Sequence, residues 1–94
     1  MSKVKEIAEI SKEIIQKLDE AIAQTFNARM FYEKYKSLLD KAKQIHEKKY
    51  VPLWNEVYNN ENTTKQEQEQ LRELEEIMKN AWERLGKAIE DLFK

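Results

Sequence analysis

Ninety-four residues bound the chain to one domain with a modest core. Seventeen Lys+Arg interleave with eighteen Asp+Glu, which leaves no electrostatic footprint for DNA, RNA or an anionic membrane. The absence of cysteine excludes disulfides and thiolate metal sites, and one glycine with one proline excludes a turn-rich β fold.

The N-terminal "MSKVKEIAEI" alternates charge with single apolar residues, so it is expected to be neither a signal peptide nor a membrane span. The expected setting is the cytoplasm or a soluble recombinant product. Ser2 is the expected N-cap of the first helix. Val4, Ile7, Ser11, Ile14, Leu18, Ala21, Thr25, Ala28, Tyr32, Tyr35, Leu39 and Ala42 then hold one phase at alternating three- and four-residue steps. Ile15 and Ile22 widen this stripe on one side, and Phe31, Leu38 and Ile45 widen it on the other.

"QTFNAR", residues 24–29, is the weakest point of this run, although it has no glycine to end a helix. Two architectures follow. In a three-helix bundle the chain folds back near residues 24–28. Alternatively, one helix runs from residue 3 to about 50, roughly 70 Å at 1.5 Å per residue. The unbroken phase favours the long helix. Ile7, Ile14 and Leu18 would then need a second chain to cover them, giving a homodimer.

Pro52 is expected to end or kink the helix before it, since it has no N–H for residue 48 and restricts Val51. "PLWNEVY" then forms a short helix with proline in its first turn. "NNENTT" is the clearest loop; its Asn-Thr-Thr sequon, lacking a secretion signal, is taken as loop only. Thr64 and Glu67 make a capping box for the last helix. That helix carries Leu71, Leu74, Met78, Ala81, Leu85, Ala88 and Leu92 on one stripe, with Trp82, Gly86, Ile89 and Phe93 beside it. The fold class expected is therefore all-α: a long first helix, broken or not near 24–28, a short proline-initiated helix and a long last helix.

His46, the only histidine, is the one cofactor candidate, an axial haem ligand. Without a second histidine or a cysteine it builds no zinc site, and a boundary histidine bonded to a carbonyl near the proline kink is the simpler reading. No metal or cofactor is expected on balance. Tyr50, Trp54 and Tyr58 are the candidate partner-binding residues, because tyrosine and tryptophan dominate interface hot spots. They lie in a segment with too many apolar groups for one helix face. Tyr50, Leu53 and Val57 form one stripe, and Val51, Trp54 and Tyr58 form another. Residues 45–58 are expected to form a corner with one of Trp54 and Tyr58 left partly exposed. Gly86 is expected to be a notch that admits a large side chain, since an interior helical glycine costs about 1 kcal/mol relative to alanine.

"KEIIQKLDEAIAQTFNARMFYEK", residues 12–34, resembles the first helix of the all-helical chorismate mutase and isochorismate-pyruvate lyase family. The resemblance rests on Lys12, the Ile15-to-Asp19 step, Arg29 and Met30. It implies a long-short-long helical topology, an intertwined dimer, and Lys12 and Arg29 as cations around a dicarboxylate substrate. Asp40 stands where the family has a lysine, with Lys41 adjacent, and the short helix lacks the family's Arg-Glu pair. The composition, dense in Glu, Lys, Ile and Leu with capped helices, also resembles computationally designed helical bundles. The function expected first is a non-enzymatic scaffold that binds a protein partner, or itself, through the aromatic residues near 50–58.

Overall fold

The computed structural model describes residues 3–25 and 32–92. Helix α1 is Lys3–Thr25 and α2 is Tyr32–Ile45. A π-helical turn, His46–Tyr50, leads into α3, Val51–Tyr58, and α4 is Lys65–Leu92. Ser2, Ala28, Arg29, Met30, Phe31 and Phe93 lie outside the described residues.

The first helix does not run on to residue 50. Its described residues are Lys3–Thr25, and α1 packs against both α2 and α4. Lys3 Nζ reaches Glu56 Oε1 at 3.0 Å and Asp19 faces Arg84 at 3.7 Å, which sets α1 antiparallel to α2–α3 and parallel to α4. The molecule is 49 Å along its longest axis, too short for the continuous helix. Packing decided against the unbroken pattern. Folding back lets one chain bury Val4, Ile7, Ile14, Leu18 and Ala21 against Leu71, Met78, Ala81 and Leu85. Helix length is then set by burial rather than by a breaker residue. No second chain is needed to cover Ile7, Ile14 and Leu18, so the argument for a homodimer through α1 falls away.

Pro52 does not break its helix either. Ile45, Tyr50 and Val51 all keep right-handed helical torsions, and Val51 N–H donates to the His46 carbonyl five residues back. The proline has no N–H and its ring crowds the carbonyl four residues earlier. A wider π turn placed just before it relieves that conflict and lets the helix continue. The predicted corner is instead a continuous helical passage, and residues 32–58 act as the middle helix of a three-helix bundle.

The chain turns instead at 59–64. Asn59 N–H donates to Asn55 O at 3.1 Å, and Asn62 N–H to Asn60 Oδ1 at 2.8 Å. The Thr63 hydroxyl donates to the Val57 carbonyl, and Gln68 Nε2 to the Tyr58 carbonyl at 3.1 Å. Asparagine and threonine side chains thus replace glycine here, and no described residue has a positive φ. The capping box forms as expected: Glu67 N–H donates to Thr64 Oγ1 and Thr64 N–H to Glu67 Oε1, both at 3.1 Å. Gly86 is no notch. It is exposed, and a Cβ built there would meet nothing within 4 Å.

Candidate functional site

His46, Tyr50, Trp54 and Tyr58 recur every four residues along the middle helix. Four residues advance an ordinary α-helix slightly past one turn, so such a row drifts around it. The π turn winds wider and offsets part of that drift. All four rings therefore lie along the seam with α4. Their partners step back along α4 in antiparallel order: Trp82, Glu75, Leu71, then Gln68 and Arg72.

Trp82 Nε1–H donates to His46 Nδ1 at 3.1 Å. The buried Tyr50 hydroxyl donates to Glu75 Oε2 at 3.0 Å. Burial, and then the charge and hydrogen bond of Glu75, push the Tyr50 phenol well above its ordinary pKa. Trp54 Nε1–H donates to the Leu71 carbonyl at 3.0 Å. Arg72 gives Nε–H and Nη2–H to the Tyr58 oxygen at 3.2 and 2.7 Å, which holds its own pKa up. Buried and half-buried ring polar atoms are thus satisfied across the seam, as their burial requires.

The rings pair off. His46 and Tyr50 have centroids 5.2 Å apart, and Trp54 and Tyr58 stack at 4.7 Å with planes 10° apart. No ring contact joins Tyr50 to Trp54 among the described residues. A groove of about 270 Å³ opens in that gap, lined by Tyr50, Val51, Trp54, Asn55 and Glu75. Val51 at its mouth is 37 % exposed. It and Ile77 are the two large hydrophobic side chains that stand exposed among the described residues.

The three candidate partner-binding residues therefore differ in position. Tyr50 is buried and forms the floor of the groove, whereas Trp54 and Tyr58 are both half-buried. The two stripes drawn from the sequence match the burial: Tyr50 and Val57 are buried and Leu53 half-buried, whereas Val51 is exposed and Trp54 and Tyr58 are half-buried. What the stripes left out is the continuous row of rings that begins at His46. The four-residue spacing of the rings was the available signal. His46 meets an indole rather than a backbone carbonyl. Lys12 is exposed on α1, and Arg29 lies outside the described residues. Among the described residues, no three carboxylate or imidazole groups gather to hold a metal ion. None of the described helices is long and apolar enough to cross a membrane. No protein-family model matches the chain, and neither a curated protein nor a solved structure does.

Proposed function

We propose that the chain is a non-enzymatic interaction module that docks a protein partner on the seam between α3 and α4. The observation that carries this reading is the groove between Tyr50 and Trp54, with Val51 exposed at its mouth. Trp54 is held by its bond to Leu71 and by the Tyr58 stack, so its ring is pre-organised. A rigid, half-exposed indole gives much contact area for little lost rotamer freedom. The rest of the bundle serves as scaffold. Both ends of the seam are fixed by hydrogen bonds to α4, and the turn at 59–64 ties the two helices together.

The test is selection of a displayed random-peptide library on the wild-type protein, followed by screening of the enriched clones on Val51→Gln and on Ile77→Gln. Clones that bind wild type and Ile77→Gln but not Val51→Gln support the reading. Clones indifferent to Val51→Gln overturn it. Circular dichroism confirms that both variants remain helical.

A further inference from the structure

We infer that the groove between Tyr50 and Trp54 is a seat for a basic side chain, lysine or arginine, of a protein partner. This rests on the docking reading above and specifies its chemistry. An indole has two π faces, and Tyr58, four residues on, covers one of them at 4.7 Å. Trp54 also lines the groove, together with Tyr50 four residues back. The indole face not stacked on Tyr58 attracts cations through the ring quadrupole. Across the groove stands Glu75, its sole charged lining residue. The Glu75 carboxylate accepts the Tyr50 hydroxyl, and no cation pairs with it among the described residues. Val51 adds an apolar edge along which the methylene stem of a lysine or arginine can lie while its head reaches the carboxylate. An aromatic face, an apolar edge and one unpaired carboxylate complement an organic cation and repel an acidic residue.

The inference is tested by following the Trp54 indole N–H resonance while the intact protein is titrated with small probes. These are the N-acetyl methylamides of lysine, arginine and norleucine, together with choline. Norleucine carries the stem of lysine without its charge. The expected result is a saturable shift with the lysine and arginine probes and none with norleucine. Glu75→Gln keeps an acceptor for Tyr50 and removes the charge, and should weaken the lysine probe by about fivefold or more. Equal binding of norleucine, binding of choline alone, indifference to Glu75→Gln, or no binding at all each overturns the inference. The docking reading is judged separately by the neutral Val51→Gln. Selected peptides that depend on Val51 but carry no basic residue would leave docking standing and remove the cation.

Discussion

Trp82 donates its indole N–H to Nδ1 of His46 at 3.1 Å, and this bond governs what the imidazole can do. As an acceptor, Nδ1 carries no proton, so the neutral ring carries it on Nε2. A metal-ligating histidine shows the opposite arrangement, in which the nitrogen away from the metal donates. Haem ligation through Nε2 would therefore require His46 to give up Trp82. The expected outcome of adding ferric haem to the wild type is no Soret shift from axial coordination. A shifted band that disappears in His46→Ala would restore the cofactor role.

Tyr50 and Glu75 give the fold an alkaline limit. The buried phenol is pushed above its ordinary pKa of about 10 in the folded state. Its stabilising contribution is complete below that ordinary value. As pH rises further the unfolded chain ionises first, and stability falls until the folded phenol titrates as well. Tyr50→Phe should cost about 1 kcal/mol at pH 8 by removing the bond to Glu75. The gap between wild type and Tyr50→Phe should then shrink above about pH 10. Urea midpoints at pH 8 and at about pH 10.5 check this. A gap unchanged between those conditions would show that Tyr50 titrates alike in both states.

The apolar stripes were legible because they are local: Ile7, Ile14, Leu18, Leu71, Met78 and Leu85 are buried as their spacing predicts. The capping box was legible for the same reason, since Thr64 and Glu67 lie within one turn. The reversal between α1 and α2 was not. No glycine or proline marks it, and the apolar phase continues through it, so tertiary burial alone chooses the hairpin over the rod. The π turn was equally hidden. Pro52 announces a missing hydrogen bond but does not say whether the chain breaks or widens to absorb it. That ambiguity carried into the site, because the row of rings from His46 to Tyr58 depends on the π turn at its start.

Gly86 offers a direct check on the role withdrawn from it. Its position is helical, exposed and open, so a methyl group added there meets no neighbour. Gly86→Ala should therefore stabilise the protein by about 0.5–1 kcal/mol, through reduced unfolded-state freedom and better helix propensity. Thermal unfolding would show the rise in midpoint. A loss of stability would mean that something not shared with the open surface needs the glycine's backbone there.

Ile14 tests the architecture itself. It has no exposed surface, and its neighbours in the core come from the same chain. Ile14→Ala should cost about 2–5 kcal/mol, as a buried large-to-small change does. Ile14→Asp should leave the chain unfolded, because a carboxylate at that depth has no cation to pair with and must be desolvated or neutralised. If one chain completes the core, the wild-type unfolding midpoint should not depend on protein concentration. Were α1 instead covered by a second copy, unfolding would be coupled to dissociation and the midpoint would rise with concentration by mass action. Denaturation curves over about a hundredfold range of concentration separate the two cases. A rising midpoint would return α1 to a dimer interface and reopen the long-helix architecture.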